Sequence, residues 1–185
     1  MLGRLEARVV AGRFGGRPLV APRGRLTRPT SDRVREALFS ILGAASLEGA
    51  RVLDLFAGSG ALGIEALSRG ASEAVLVDSS PAAAAAIRRN LTTLGVEAEV
   101  RRQDAVGYLR SASRDARLYD LVFLDPPYRQ ASALGRELST ALGPVLAIDA
   151  RVVAESDRRA PLELDLVLLD ERRYGDTLIR IHGSR

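Results

Sequence analysis

The chain has 185 residues, of which 46% are hydrophobic, which is enough to fill the core of one domain and leaves little room for a second. It contains no cysteine, so disulfides, thiolate metal sites and cysteine nucleophiles are excluded. No apolar run approaches the roughly 18 residues that a membrane span requires, and the N-terminus has arginines where a secretory signal would be apolar. We therefore expect a cytoplasmic protein with no membrane partner.

Basic charge is concentrated at the N-terminus. All 27 basic residues are arginines, and residues 1–35 hold nine of them against two acids, a local charge of +7, whereas the remaining 150 residues carry −3. A segregated basic patch is typical of proteins that bind a phosphate backbone, although a solvated arm in an arginine-rich proteome gives the same pattern. The candidate nucleic-acid contacts are Arg4, Arg8, Arg13, Arg17, Arg23 and Arg25.

Residues 7–21 predict a β-hairpin, because two β-prone runs, Val9-Val10 and Leu19-Val20, flank a centre that contains three glycines. Residues 22–30 contain three arginines and two prolines and predict an extended connection. We interpret residues 1–29 as a basic N-terminal hairpin extension and linker. The hairpin is expected to be removable without loss of the core that follows it.

The remaining residues, 30–185, predict a single α/β domain. Thr30 or Ser31 is placed to cap a first helix that ends at Gly43. Buried strands then alternate with helices, which indicates a parallel sheet covered on both faces. The predicted strands are RVLDLFA, EAVLVD, EAEVRRQD, YDLVFLD and RVVAES, and the predicted helices span about 61–68, 81–94, 105–110 and 131–142.

The last part of the domain predicts two further strands. The runs LELDLVLLDERR and DTLIRIHG flank Tyr174-Gly175-Asp176, which favours an antiparallel pair at one edge of the sheet. The predicted fold is therefore an α/β, Rossmann-like sheet with an antiparallel edge, preceded by a β-hairpin.

A glycine-rich turn follows the first strand of the domain. Residues 54–63, DLFAGSGALG, lead from that strand into a helix, and glycines at this place let a ligand approach the backbone. Asp78, at the end of the second strand, is placed to accept hydrogen bonds from ribose hydroxyls. Together with Gly58-x-Gly60-x-x-Gly63, this acid also matches the dinucleotide fingerprint, so a nicotinamide cofactor is the first alternative.

Asp54 separates the two kinds of cofactor. A dinucleotide site aims backbone amides and a helix N-terminus at a pyrophosphate, which a carboxylate at this position would repel. S-adenosylmethionine has no phosphate and carries an ammonium and a sulfonium, so the acid favours it. We predict S-adenosylmethionine and no metal; a glycine-rich turn with an incidental acid is the remaining alternative. The residues predicted to bind the cofactor are Asp54, Phe56, Ala57, Gly58, Ser59, Gly60, Asp78, and, at its adenine amine, Asp104 with Ala105.

Asp125-Pro126-Pro127-Tyr128 follows the fourth strand directly, at the carboxyl end where open α/β sheets bind their ligands. An exocyclic amine of guanine or adenine is a poor nucleophile, because its lone pair is conjugated into the ring. Asp125 and the Pro126 carbonyl can each accept an N–H hydrogen bond and expose that lone pair, while the prolines remove competing amide donors. Tyr128 supplies a flat face for base stacking. We predict that these four residues are catalytic; an ordinary strand-terminating turn is the alternative.

With these residues the chain resembles the class I methyltransferases that carry Asp/Asn-Pro-Pro-Tyr/Phe, and within that group the bacterial RsmD family. The resemblance covers nearly the whole chain. It is carried by Arg8-Val9-Val10-Ala11-Gly12 with Gly16-Arg17, the stretch from Arg28 to Phe39, Asp54 to Gly63, Asp125 to Tyr128, and Arg173-Tyr174-Gly175.

The resemblance implies a class I methyltransferase fold and methyl transfer from S-adenosylmethionine to the exocyclic N2 amine of a guanine in 16S ribosomal RNA, guanine 966. It also implies a monomeric enzyme, a 30S subunit or assembly intermediate as substrate, and Thr30 near the cofactor. The family often has Glu-x-Asp after the second strand, whereas this chain has Asp78-Ser79-Ser80. The acid expected to bind the ribose is thus still present, as an aspartate that is one methylene shorter than glutamate. The role that remains for Ser80 is to cap the helix that follows.

Other functions remain open. An adenine N6 methyltransferase acting on DNA or RNA would share the chemistry of Asp125 to Tyr128, although a DNA enzyme would usually carry a target-recognition domain. A small-molecule methyltransferase would not need the basic N-terminus, and a non-enzymatic RNA-binding protein would not need Asp125 or the glycines. The absence of cysteine excludes the usual covalent route to a pyrimidine carbon 5. The single histidine, His182, is expected to be a solvated side chain without a role.

Overall fold

The computed structural model describes the backbone of residues 5–22, 31–127 and 131–184, and the side chains of 7–22, 31–127 and 134–184. Five residues singled out by the sequence lie outside these ranges, namely Arg4, Arg23, Arg25, Thr30 and Tyr128. Among the described residues, no helix is long and apolar enough to cross a membrane.

The first two strands form the predicted hairpin. β1 (Leu5–Arg8) pairs antiparallel with β2 (Pro18–Val20). The first strand ends just before the Val9-Val10 run that predicted it. The amides of Val10 and Ala11 leave the ladder because they donate to a carboxylate of the main domain instead.

The main sheet has seven strands, which are β3 (Arg51–Leu55), β4 (Glu73–Val77), β5 (Glu99–Arg101), β6 (Tyr119–Leu124), β7 (Leu146–Asp157), β8 (Val167–Tyr174) and β9 (Thr177–Gly183). Their order across the sheet is β5-β4-β3-β6-β7-β9-β8. The five strands from β5 to β7 are parallel, and β9 runs antiparallel to both β7 and β8. The predicted Rossmann-like sheet with an antiparallel edge is confirmed.

Five helices flank the sheet, namely α1 (Asp32–Leu42), α2 (Ala61–Ser68), α3 (Pro81–Leu94), α4 (Ala105–Arg114) and α5 (Ala131–Leu142). α1, α2 and α3 pack on one face of the sheet, and α4 and α5 pack on the other. Of the two predicted caps of α1, it is Ser31 whose hydroxyl accepts from the amide of Val34, and Gly43 ends the helix as expected.

Some elements differ from their prediction. α4 runs to Arg114 rather than stopping four residues earlier, and β7 begins at Leu146, five residues before its predicted start. The extra part of β7 shifts register against β6, and Asp149 within it has a φ of 60°. A bulge of this kind interrupts the apolar run from which a strand is predicted. His182 is buried in β9, not solvated, and burial lowers its pKa.

The hairpin packs onto α2 and α3 as part of the core. Three of its apolar side chains are buried in one cluster with side chains of both helices, namely Val9, Phe14 and Leu19. Glu65 of α2 is 0% exposed and accepts the amides of Val10 and Ala11 at 2.6 and 3.0 Å. Removing the hairpin would uncover the cluster and take two donors from a buried carboxylate, so the expectation that it can be removed without loss of the core is wrong.

Strand pairing brings the predicted site residues to one edge of the sheet. Leu55 of β3 pairs with Val77 of β4 and with Leu124 of β6, and each of the three is the last residue of its strand. The three segments that follow these strands therefore start side by side. They are the loop after β3, the segment that begins with Asp78 and the segment that begins with Asp125. This is the carboxyl edge of the parallel strands, where ligands bind in open α/β sheets.

Candidate cofactor and catalytic site

The turn between β3 and α2, the glycine loop (residues 56–60), has positive φ at three residues. Phe56, Gly58 and Gly60 have φ of 63°, 58° and 80°. For Phe56 this is an uncommon conformation of the kind that clusters at ligand sites. A Cβ at Gly58 would meet nothing nearer than 4.0 Å, so this side of the loop is open. A Cβ at Gly60 would lie 3.3 Å from a side chain of α2 and 3.4 Å from one of α3, and the φ of 80° would strain it as well, so both effects favour glycine there.

Three amides of the glycine loop are already satisfied within the protein. Those of Ala57, Gly58 and Gly60 donate to Val77 O, Asp78 Oδ2 and Ala57 O at 3.0, 2.9 and 2.7 Å. A pyrophosphate site needs bare amides at such a turn. The occupied amides therefore weigh against the dinucleotide alternative.

Asp54 lies beneath the glycine loop. Its side chain is 1% exposed, and Oδ2 accepts from the amide of Gly63 in α2 at 2.9 Å. Burial raises its pKa to about 7; the Gly63 amide opposes this rise and the charge of Asp78 adds to it. The sequence predicted contact with the cofactor, and this stays a prediction; in the structure the buried carboxyl joins β3 to the first turn of α2. Its charge still disfavours a phosphate at the start of α2.

Asp78 is buried at the end of β4 and braces the glycine loop. Its Oδ2 accepts from the Gly58 amide at 2.9 Å, and its Oδ1 accepts from the Ser80 amide at 2.8 Å. The predicted bonds from ribose hydroxyls to Asp78 stay a prediction. Ser80 accepts from the Ala83 amide as the cap of α3, which is the role that the sequence left for position 80.

Asp104 follows β5, which lies on the other side of β4 from the glycine loop, and it precedes α4. It is exposed, and its Oδ1 accepts from the amide of Gly107 at 2.7 Å as the cap of that helix, while Ala105 next to it is buried. The predicted contact with an adenine amine stays a prediction. No group of three or more His, Asp or Glu side chains that could hold a metal occurs in the described part of the chain.

The Asp-Pro-Pro segment emerges from the centre of the sheet. Asp125 and Pro127 are half-buried, and Pro126 is buried. Because Leu55 and Leu124 are paired, Asp125 and the glycine loop start from neighbouring strand ends. Asp125 and Pro126 thus follow directly from the same edge of the sheet as the glycine loop, and the two prolines bring no amide donor to that edge. Tyr128 lies outside the described residues.

Three of the predicted arginine contacts can be placed. Arg13 and Arg17 are exposed on the hairpin, and the Arg17 guanidinium donates to Thr93 O at 2.8 Å. Arg8 pairs with Asp32 at 2.9 Å. The other oxygen of that carboxylate accepts from the buried guanidinium of Arg35, which also donates to Arg8 O. Arg8 therefore joins the hairpin to α1, and Arg13 and Arg17 are better candidates for phosphate contacts.

Beside Arg35, sequence reasoning missed three buried polar residues that anchor the hairpin. Glu65 and Ser68 of α2 and Asn90 of α3 bond to hairpin backbone. Their signal was weak but present. Each is a polar residue on a helix face that is otherwise apolar, and such a residue needs a partner when it is buried.

Comparison with known proteins identifies relatives along most of the chain. The family model described as "Conserved hypothetical protein 95" matches residues 7–183. Ribosomal RNA small subunit methyltransferase D of Haemophilus influenzae is 39% identical over 189 residues, which cover 97% of this chain and 94% of that protein. The protein of the same name from Escherichia coli (strain K12) is 41% identical over 129 residues, 69% of this chain and 63% of that protein.

A solved structure agrees with the fold. A hypothetical protein from Thermus thermophilus is 31% identical and superposes with a TM-score of 0.83, covering 95% of this chain and 98% of that one. The match with the family model spans the hairpin, the glycine loop and the Asp-Pro-Pro segment alike. The chain therefore belongs to the Conserved hypothetical protein 95 family, the RsmD family that its motifs resemble.

Proposed function

We propose that the protein is an S-adenosylmethionine-dependent methyltransferase that modifies the exocyclic N2 amine of a guanine in 16S ribosomal RNA, guanine 966. The observation that carries the proposal is the position of Asp125-Pro126 at the end of β6, beside the glycine loop at the end of β3. Relatives named for ribosomal RNA methylation support the substrate class.

The glycine loop fits a cofactor that carries positive charge and no phosphate. Three of its amides are occupied, and the acids Asp54 and Asp78 lie beneath and beside it. Bound there, S-adenosylmethionine supplies an electrophilic methyl group on a sulfonium. The residues that we propose to hold it are Thr30, Asp54, Phe56, Ala57, Gly58, Ser59, Gly60, Asp78, Asp104 and Ala105.

The Asp-Pro-Pro-Tyr segment is proposed to prepare the amine. Asp125 Oδ and the Pro126 carbonyl each accept a hydrogen bond from one N–H group of the amine. These two bonds draw the nitrogen toward tetrahedral geometry and localise its lone pair. The nitrogen lone pair would form the N–C bond as the S–C bond of the sulfonium breaks to leave S-adenosylhomocysteine, and the nitrogen would then release one proton to solvent. Tyr128 stacks on the base. The hydrogen bonds strengthen as the nitrogen becomes tetrahedral, so they favour the transition state over the bound substrate.

The decisive experiment is methyl transfer to ribosomal particles. Purified small subunits that lack the modification are incubated with labelled S-adenosylmethionine, and the RNA is digested to nucleosides. We expect the label in N2-methylguanosine. Label in N6-methyladenosine would instead support the adenine alternative, and no incorporation into particles or naked 16S RNA would overturn the proposal.

The variant Asp125→Ala tests the proposed catalytic role separately from cofactor binding. We expect it to abolish transfer while S-adenosylhomocysteine affinity stays within a few fold, because the bonds of Asp125 go to the base and not to the cofactor. Calorimetry measures the affinity in the same preparation that is assayed for transfer. Near-normal turnover of this variant would show that Asp125 is not the acceptor.

A further inference from the structure

Asn90 of α3 joins the hairpin to the glycine loop. Its side chain is 2% exposed and uses both ends of its amide. Oδ1 accepts from the Val20 amide at 2.9 Å, while Nδ2 donates to Val20 O at 3.0 Å and to Ser59 O at 2.9 Å. One side chain thus contacts the last residue of β2 and the middle of the loop.

The hairpin determines which way the Asn90 amide faces. Val20 offers an amide N–H and a carbonyl, so only one orientation of the side-chain amide matches both. In that orientation the second N–H of Nδ2 points at Ser59 O. A hairpin displaced from this position would leave the amide free to turn, and the loop would lose its donor.

Ser59 is the residue of the glycine loop whose carbonyl Asn90 holds. It lies between Gly58 and Gly60, which both have positive φ and can adopt many other conformations. The bond from Asn90 restrains the peptide group between residues 59 and 60. Asp78 restrains the loop from the other side through the Gly58 amide.

We propose that Asn90 is a positioning residue that holds the glycine loop in its cofactor-binding shape and makes that shape depend on the docked hairpin. The proposal rests on the cofactor site proposed above. On this proposal the hairpin has two roles, because it carries Arg13 and Arg17 and also orients the side chain that holds the glycine loop.

Ser68 provides a matched control. Its Oγ accepts from the Phe14 amide at 2.9 Å and donates to Ala11 O at 2.6 Å, so it too makes two bonds to hairpin backbone from a buried helix position. It has no bond to the glycine loop within the described residues. Ser68→Ala and Asn90→Ala therefore remove the same number of hairpin bonds, and only the second also removes a loop bond.

The test compares binding of S-adenosylhomocysteine by calorimetry, well below each protein's Tm. We expect Asn90→Ala, and the shape-matched Asn90→Leu, to weaken affinity about 3- to 10-fold, the effect of one hydrogen bond. Ser68→Ala should lower Tm comparably and keep affinity within twofold, because well below its Tm the hairpin stays docked through Glu65, Asn90 and its buried apolar side chains. Equal losses of affinity in Ser68→Ala and Asn90→Ala, or none in either, would overturn the proposal.

A third variant separates this inference from the site on which it rests. Asp78→Ala removes the other restraint on the loop and the proposed ribose acceptor, so it should weaken binding at least as much as Asn90→Ala. If Asp78→Ala binds normally, the cofactor does not lie at this loop and the proposed site is wrong. If Asp78→Ala binds S-adenosylhomocysteine more weakly and the Asn90 variants bind it normally, the proposed cofactor site is supported and the positioning role of Asn90 is wrong.

Discussion

The buried carboxyl of Asp54 makes the stability of the fold depend on pH. Its pKa is about 7 in the folded protein, because burial raises it from the ordinary value of 3.8. Between these two values the folded protein keeps a proton that the unfolded chain has released, so stability falls as the pH rises. The slope for one such group is at most about 1.4 kcal/mol per pH unit.

Asp54→Asn is expected to be more stable than the unchanged protein at pH 8 and to lose that advantage toward pH 5. Asparagine is neutral throughout this range, and its oxygen can still accept from the Gly63 amide. Urea unfolding of both proteins at several pH values measures the difference. A difference that stays constant from pH 5 to 8 would mean that Asp54 ionises at its ordinary pKa.

The sequence contained the information that places Asp54 on a buried face of β3. Val52 and Asp54 are two apart in a strand, so they share a face, and Val52 packs in the cluster beneath α1 and α2. Asn90 is different. Its contacts with Val20 and Ser59 join segments 70 and 31 residues apart, and no local pattern predicts such a meeting.

Among the elements, the hairpin has a buried apolar side and an exposed basic side. Val9, Phe14 and Leu19 are in the core, while Arg13 and Arg17 face solvent. Deletion would therefore unfold part of the domain and remove the charge at once. Point variants on the exposed side separate these two effects.

Arg13→Glu/Arg17→Glu is expected to keep the Tm of the unchanged protein within a few degrees and to weaken binding to small subunits. Each phosphate contact that is lost should flatten the dependence of log K on log salt by up to about 1. Binding measured at several salt concentrations gives that slope. The control is Arg114→Glu, on the opposite face of the sheet, which should leave the slope nearly unchanged. Equal slopes for all three proteins would show that the hairpin is only a solvated surface.

The helices were predicted better than the edges of the sheet. α2, α3 and α5 begin and end as expected, because caps and apolar spacing are local signals. The bulge in β7 and the short β5 depend on neighbouring strands, so their limits were not visible in the sequence. The hairpin was predicted as an element, whereas its docking depends on buried side chains 54 or more residues away.

At the scale of the whole molecule, cofactor choice follows from how the sheet and its helices place charge. The carboxyl edge combines occupied loop amides with two buried acids, Asp54 and Asp78. These strand-end residues were predictable because parallel strands share one carboxyl edge. The order of the strands then brought the glycine loop and Asp125 together as expected.

We expect S-adenosylhomocysteine to raise the Tm of the protein and NAD to leave it unchanged. A ligand that binds only the folded state stabilises it by about 2.7 kcal/mol at a concentration 100 times its Kd. Thermal unfolding with increasing amounts of each ligand measures the effect. Stabilisation by NAD alone would reverse the choice of cofactor.

The docking of the hairpin also sets an order of events during translation. The side chains of α2 and α3 that hold its backbone are synthesised 54 to 70 residues after it. At about 5–20 residues per second, that interval is roughly 3 to 14 s. For this time the nascent hairpin has an apolar side with no partner and a basic side close to ribosomal RNA. The segment that we propose to contact substrate RNA therefore emerges beside ribosomal RNA, seconds before the helices that will hold it exist.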